Sequence, residues 1–191
     1  MAVYHTPMPA RAILFDFFGT LVDYSEGTEG LSFAGSHAHL VASGATVDES
    51  GFLAAWSAAF QRLESEAATS HTEFPFSAIV DGLLAELSLA SVTGDFHERF
   101  TETFLAEWSA GVRYHDWLAE MLAGLSRDVS LAVVTNTYHP TLVPDHLERM
   151  GVAQHFNAVV KSIDLGVRKP SRSIFQHALE LLGVAPSEAI F

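Results

Sequence analysis

The spacing of apolar residues changes twice along this chain, which divides it into three stretches. Residues 12–15 form a short apolar run that ends at a polar residue, which is typical of a buried strand. From about residue 24 to residue 113, apolar residues recur at the spacing of one helix face. Beyond residue 113, apolar runs of strand length alternate again with helical spacing. The pattern therefore predicts a helical segment inserted into a chain of alternating strands and helices.

The inserted segment, residues 24–113, is predicted to contain helices and no strand. Its helices are predicted at Leu31–Val41, from Val47 and Asp48 onward with an apolar face of Leu53, Trp56, Phe60 and Leu63, at Phe76–Leu89, and along a stripe of Phe96, Phe100, Phe104 and Trp108. Aromatic residues at this spacing are far more typical of a hydrophobic core than of a cofactor site. We therefore expect a helical domain with an aromatic core.

The flanking stretches predict an α/β fold. After the first strand, further strands are predicted at Val129–Val134 and Asn157–Val160, and helices at Trp117–Leu125, Leu142–Met150 and Ser171–Leu182. Because strands alternate with helices, the strands are expected to run parallel in one sheet that has helices on both faces. The predicted core comprises residues 1–23 and 114–191, of which Met1–Pro9 is a loose leader.

Polar residues stand directly behind each predicted strand. Asp16 follows the first strand, Thr135 ends the second, and Lys169 lies in the loop after the third. Ligands of open parallel sheets bind outside the carboxyl ends of the strands, so these three side chains are expected to converge on one crevice. Asp16 would then attack an anionic substrate, Thr135 and nearby amides would hold its oxygens, and Lys169 would neutralise charge and keep Asp16 ionised.

Each of these residues has a plainer explanation when it is taken alone. Asp16 could cap the segment that follows it, Thr135 could cap a helix, and Lys169 could be a solvated loop lysine. The three together, in this order behind successive strands, favour a site.

The same residues carry a resemblance to a known family. The stretch from Ala12 to Asp23, with its strand, Asp16 and Thr20, resembles the first motif of the haloacid dehalogenase-like hydrolases. Val133–Asn136 resembles the second motif and Lys169-Pro170 the third, and the helical insertion lies where the family has a cap domain. The resemblance implies a Rossmann-like parallel core with an inserted helical cap, and hydrolysis through a covalent aspartyl intermediate.

The resemblance also assigns roles within the predicted site. It makes Asp16 the nucleophile, with Lys169 and Thr135 as the other catalytic residues. It assigns substrate binding to Phe18, Gly19, Thr20 and Asn136. It implies a Mg²⁺ ion held by Asp16 and the backbone carbonyl of Phe18, completed by a Gly-Asp pair of a fourth motif. That motif would begin near Ala189, no residue here can be assigned to it, and the core is therefore expected to be incomplete at its C-terminal end.

Phe18 departs from the pattern of the family's phosphatases, which carry a second aspartate at that position. That aspartate protonates the leaving oxygen, and general acid catalysis of this kind contributes about 10²–10⁴ in rate. Dehalogenases of the family carry an aromatic residue there instead, but they also use an arginine near the halide, and none of Arg62, Arg99 or Arg113 matches in spacing. The substrate could therefore be a phosphate ester or a 2-haloacid. Alternatively, the protein is a non-catalytic or truncated family member that binds a ligand or a partner.

Composition and charge exclude several classes of binding partner and site. The formal net charge of −13 argues against nucleic acid and anionic membranes. The absence of cysteine excludes disulfides, thiolate metal sites and a cysteine nucleophile. No secretory signal and no apolar run of membrane-spanning length is found, so a cytoplasmic protein is expected. Because the predicted cap would close over the crevice and exclude water, the substrate is expected to be a small molecule. The histidines are interpreted as scattered surface residues. The chain could also form a homodimer by pairing through an exposed edge of the sheet.

Overall fold

The computed structural model describes residues 10–24, 30–89, 92 and 95–191. The predicted leader, Met1–Pro9, lies outside the described residues. The chain divides into two compact units. One, here called the core unit, comprises the chain up to Val22 together with Tyr114–Phe191, and the other, here called the helical insertion, is Asp23–Arg113.

The longer strands and helices follow one another as the apolar spacing predicts. The strands are β1 (Ala12–Phe15), β2 (Val22–Asp23), β3 (Arg113–Tyr114), β4 (Ser130–Thr135), β5 (Ala158–Lys161) and β6 (Ala189–Ile190). The helices are α1 (Ala34–Ala42), α2 (Glu49–Ser70), α3 (Phe76–Glu86), α4 (Phe96–Ser109), α5 (Leu118–Leu125), α6 (Leu142–Arg149), α7 (Ser162–Leu165) and α8 (Arg172–Leu182). The predicted α/β class is confirmed.

A parallel four-stranded sheet, in the order β5-β4-β1-β6, forms the centre of the core unit. In β4, the residues from Leu131 to Thr135 are all buried, as expected for a strand with neighbours on both sides. Phe15, the last residue of β1, pairs with Val133, so β4 continues past the end of β1. Leu14, Val134 and Val160 pack with apolar residues of α8 in one hydrophobic cluster.

The helical insertion is built around aromatic side chains. The rings of Trp56 in α2 and Phe104 in α4 stack with centroids 3.9 Å apart, and Phe100 and Phe76 pack against Trp56. Asp48 caps α2, because its side chain accepts a hydrogen bond of 2.8 Å from the Gly51 amide. The aromatic stripe of the sequence is therefore the core of this unit.

The carboxylate of Glu107 in α4 binds the first turn of α1. It accepts hydrogen bonds from the Gly35 amide at 2.7 Å, and from the Ser36 amide and hydroxyl at 3.2 and 2.6 Å. Phe33 is the residue at the N-cap of α1, and its side chain accepts no hydrogen bond from the first turn of that helix. Glu107 therefore supplies from another helix the acceptors that a local capping residue would provide.

Three short elements are among those that the apolar pattern does not predict. β2 and β3 are two residues each and form a separate two-stranded sheet. α7 has four residues and directly follows β5. None of the three is long enough to show a periodicity of its own. Among the described residues, no helix has both the length and the apolar character needed to span a membrane.

The prediction that the histidines lie at the surface is wrong for His146, which is fully buried. It lies on the same face of α6 as Val143 and Leu147, which are also buried. Its Nδ1 forms a hydrogen bond of 2.7 Å with the hydroxyl of Tyr114. A histidine on the apolar face of a helix is buried with that face, and its polar ring atoms need partners.

Candidate active site

Asp16 and Lys169 form an ion pair at the carboxyl ends of the parallel strands. The Nζ atom of Lys169 lies 2.6 Å from Oδ2 of Asp16, and Oδ1 of Asp16 accepts a hydrogen bond of 2.7 Å from the Phe17 amide. The ammonium also lies 5.4 Å from the centroid of the Phe191 ring. The side chains are 14% exposed for Lys169 and 36% for Asp16, so the carboxylate is held yet open to solvent.

A tight turn follows Asp16 and is organised by one carbonyl. The oxygen of Phe17 accepts hydrogen bonds from the amides of Thr20, Leu21 and Val22, at 3.3, 2.9 and 3.3 Å. Gly19 has a φ of 77° and donates its amide to the oxygen of Val22 at 2.9 Å. A left-handed residue at this point favours glycine. The amides of Gly19 and Thr20 therefore stabilise the turn, and the exposed Thr20 hydroxyl is a group with which this turn could bind substrate.

An aromatic group lies beside this turn and was not predicted from the sequence. The ring of Phe17 lies 4.9 Å from that of Phe18, and the imidazole of His146 lies 6.0 Å from Phe17 and 6.4 Å from Phe18. Burial, and to a smaller degree the nearby positive charge of Arg149, lower the pKa of His146 to about 4. At neutral pH, His146 therefore presents a neutral ring to the residues that follow Asp16.

The loop after β4 is bound by side chains from the end of β5. The Thr137 amide donates a hydrogen bond of 2.9 Å to the hydroxyl of Ser162, which in turn donates to the Thr137 carbonyl at 3.3 Å. Lys161 donates to the carbonyl of Pro140 and forms an ion pair of 3.1 Å with Asp164. These contacts fix the path of the chain just beyond Thr135, which is itself 1% exposed.

Asn136 joins the loop after β4 to the loop that carries Lys169. Its Oδ1 accepts a hydrogen bond of 2.7 Å from the Lys169 amide, and its Nδ2 donates one of 3.2 Å to the Lys169 carbonyl. The structure thus brings Asp16, Asn136 and Lys169 together, and Thr135 is linked to them through its neighbour Asn136. Arg168, beside Lys169, is buried.

The arginines considered for a halide-binding role have local partners or an exposed position. Arg62 pairs with Glu86 at 3.1 Å, and Arg99 pairs with Asp95 at 2.9 Å. Arg113 is exposed in β3. These contacts lie within the helical insertion, and none of them supports a halide-binding role for the three arginines.

The described residues supply one carboxylate, that of Asp16, toward the predicted magnesium site. Within the described ranges, no group of three or more His, Cys, Asp or Glu side chains is placed to hold a metal ion. Mg²⁺ requires near-octahedral oxygen ligands and is usually bound by one or two carboxylates together with waters and substrate oxygens. Asp16 and the Phe18 carbonyl, the two predicted ligands, offer one carboxylate, whose oxygens already accept from Lys169 and Phe17.

Part of this chain is similar in sequence to a curated enzyme. A phosphoserine phosphatase of Thermus thermophilus is 35% identical over 88 residues, which are 46% of this chain and 35% of that enzyme. The match therefore spans about a third of the relative's length.

Solved structures show the same fold. A 2-haloacid dehalogenase of Pseudomonas syringae pv. tomato DC3000 matches with a TM-score of 0.67 and 23% identity, over 94% of this chain and 76% of its own. A predicted phosphoglycolate phosphatase of Haemophilus somnus 129pt matches with a TM-score of 0.56 and 19% identity, over 94% and 75% of the two chains. At these identities the structural likeness shows the fold alone.

The family model of the haloacid dehalogenase-like hydrolases matches residues 10–191, which include both units and all three motifs. With Asp16 and Lys169 paired behind the sheet at the positions of the first and third motifs, this chain belongs to the haloacid dehalogenase-like hydrolase family.

Proposed function

We propose that this hydrolase cleaves a small anionic substrate through a covalent intermediate on Asp16. The observation that carries the proposal is the Asp16–Lys169 pair, with 2.6 Å between Oδ2 and Nζ. The Phe17 amide holds the other carboxylate oxygen, so the nucleophile is oriented before substrate arrives. The Lys169 ammonium is in addition a fixed positive charge beside the point where an anionic substrate must bind. Thr135 and the Thr20 hydroxyl complete the proposed polar lining.

One form of the reaction breaks a carbon–halogen bond. A carboxylate oxygen of Asp16 attacks the carbon, the halide leaves with the bonding electrons, and an ester with Asp16 forms. Water then adds to the carboxyl carbon of Asp16, and the carbon–oxygen bond of the ester breaks to release a 2-hydroxy acid. A halide needs no proton to leave, so the apolar ring of Phe18 fits this form.

The other form breaks a phosphate ester. Asp16 attacks phosphorus, the alcohol leaves with a proton, and water then attacks phosphorus to release inorganic phosphate. The sequence match to a phosphoserine phosphatase favours this form. Phe18 cannot donate the proton that the alcohol needs, so a member of this type would have to take it from elsewhere. Phosphatases of this family generally use Mg²⁺, and a requirement for that ion belongs to this form alone.

The two forms differ in where the oxygen of water ends. We would assay a 2-haloacid without metal and a phosphate monoester with Mg²⁺, each with the wild type and with Asp16→Asn. A single turnover in ¹⁸O-water is expected to label the Asp16 carboxylate if a 2-haloacid is the substrate, and inorganic phosphate if a phosphate ester is. Turnover of either substrate by Asp16→Asn at the wild-type rate would refute the proposal.

A further inference from the structure

We propose that Asn136 is a positioning residue for Lys169, which deepens and rests on the function proposed above. Both polar atoms of its side-chain amide bind the backbone of Lys169, one accepting from the amide and one donating to the carbonyl. The side chain predicted to bind substrate is therefore engaged in fixing a second residue of the site. Through that residue it acts on the distance between the Lys169 ammonium and Asp16.

The geometry favours a positioning role over a merely stabilising one. Asn136 follows the last residue of β4, a strand with neighbours on both sides, so its backbone is fixed by the sheet. Lys169 lies 33 residues further along, in a loop between α7 and α8. Two hydrogen bonds to the amide and the carbonyl of one residue restrain both its position and its orientation, as a pair of strand residues does. The loop is thus held at Lys169, whose side chain reaches Asp16.

The composition of the chain allows a direct test, because Lys161 and Lys169 are its only lysines. Their side chains are 13% and 14% exposed, and each ammonium is paired with an aspartate. Lys161 is therefore a reference within the same molecule for the reaction of Lys169 with an amine reagent. The ratio of the two labelling rates, read by mass spectrometry after limited acetylation, cancels differences in reagent and in global stability.

Asn157→Ala supplies the matched control. Asn157 also binds backbone through its side-chain amide, accepting from the Leu131 amide at 3.0 Å, but at the opposite end of β4. Asn136→Ala is expected to raise the Lys169-to-Lys161 labelling ratio about fivefold to tenfold, the effect of losing about one net hydrogen bond. Asn157→Ala is expected to leave the ratio unchanged while costing a similar amount of stability.

An unchanged ratio in folded Asn136→Ala would overturn the proposal, as would an equal rise in Asn157→Ala. If the alanine variant is insoluble, Asn136→Ser gives the same test, since its shorter hydroxyl cannot reach both backbone atoms. The labelling needs no substrate, so it stands apart from the assay of the proposed function. If the ratio rises but the wild type turns over neither substrate class, the positioning role holds and the proposed function fails.

Discussion

In the helical insertion, aromatic rings hold the helices together, whereas in the core unit polar side chains hold the loops behind the strands. Trp56 and Phe104 stack at 3.9 Å with further rings around them. In the core unit, Asn136 and Ser162 bind backbone atoms of loops far away in sequence. The rings are periodic in the sequence and non-directional in their attraction. The polar contacts are aperiodic and depend on single atoms at hydrogen-bond distance.

This difference predicts which substitutions should change stability and which should change activity. Loss of an aromatic ring should affect stability in proportion to the volume removed, since packing density is what it supplies. Loss of a polar side chain behind the strands should affect chemistry more than stability, because the loops are partly solvated and the sheet persists without them.

The largest stability effect is expected for Trp56→Ala, which removes a buried ring from the aromatic core. We expect a loss of about 3–5 kcal/mol in the free energy of unfolding, the range for removing large buried aromatic side chains. Urea unfolding followed by far-UV circular dichroism would measure it. Trp117→Ala is the control, because Trp117 is 56% exposed and its loss should cost at most about 0.5 kcal/mol. Equal losses in the two variants would contradict the aromatic core.

The buried imidazole of His146 should make the stability of the core unit depend on pH. An unfolded histidine takes up a proton below a pKa of 6.5, but burial holds the pKa of His146 at about 4. Stability contributed in this way is complete above pH 6.5 and is lost as pH falls toward 4, by about 2 kcal/mol at pH 5. His139, whose pKa burial also lowers, adds to the same trend.

Urea unfolding at pH 7 and pH 5 tests this expectation, with His146→Leu as the comparison. The carboxyl groups of Asp48 and Glu188, whose pKa values backbone hydrogen bonds lower, act mainly below pH 4.5 and so fall outside the window. The leucine variant should lose most of the difference in stability between the two pH values. A variant with the full wild-type difference would show that other groups cause it.

A change at Lys169 tests whether the chemistry of the core unit depends on single polar atoms. Lys169→Met keeps the backbone bonds to Asn136 but removes the ammonium that pairs with Asp16. We expect kcat/KM to fall about a hundredfold or more, as for loss of one charge-stabilising donor, with little change in unfolding. Arg127→Met, which removes an exposed positive charge just before β4, at the opposite end of that strand from Asn136, should retain activity within about threefold. A similar loss of activity in both variants would show that the Lys169 ammonium has no special role in the reaction.

The smallest effect is expected where the helical insertion uses a polar contact. Glu107→Gln retains the size of the side chain but replaces one accepting oxygen by an NH₂ group, which cannot accept, so the bonds to Gly35 and Ser36 cannot all be kept. A loss of about 1 kcal/mol is expected by urea unfolding. Glu102→Gln on the same helix, where Glu102 is exposed, should be neutral. A loss above about 3 kcal/mol would mean that this contact matters as much as the rings.

Much of the fold could be predicted because it depends on periodicity. The stripe of Phe96, Phe100 and Phe104 is in α4, and the buried run before Thr135 is in β4, shifted by one residue from the predicted Val129–Val134. Asp16 and Lys169 could be brought together in advance because both follow parallel strands. The partner of Asn136 could not, since nothing local to Asn136 indicates a residue in a loop 33 positions away. His146 could have been placed in the core from its position between Val143 and Leu147 on one helix face.

The register of β1 against β4 restricts how the length of this chain can change over evolution. Phe15 pairs with Val133, and Asn136 lies three positions beyond that pair. Deleting one residue between them would draw Asn136 back by about 3.3 Å and turn its side chain to the opposite face of the sheet. Homologous chains should therefore vary in length between the helices of the insertion while keeping this short interval free of insertions and deletions.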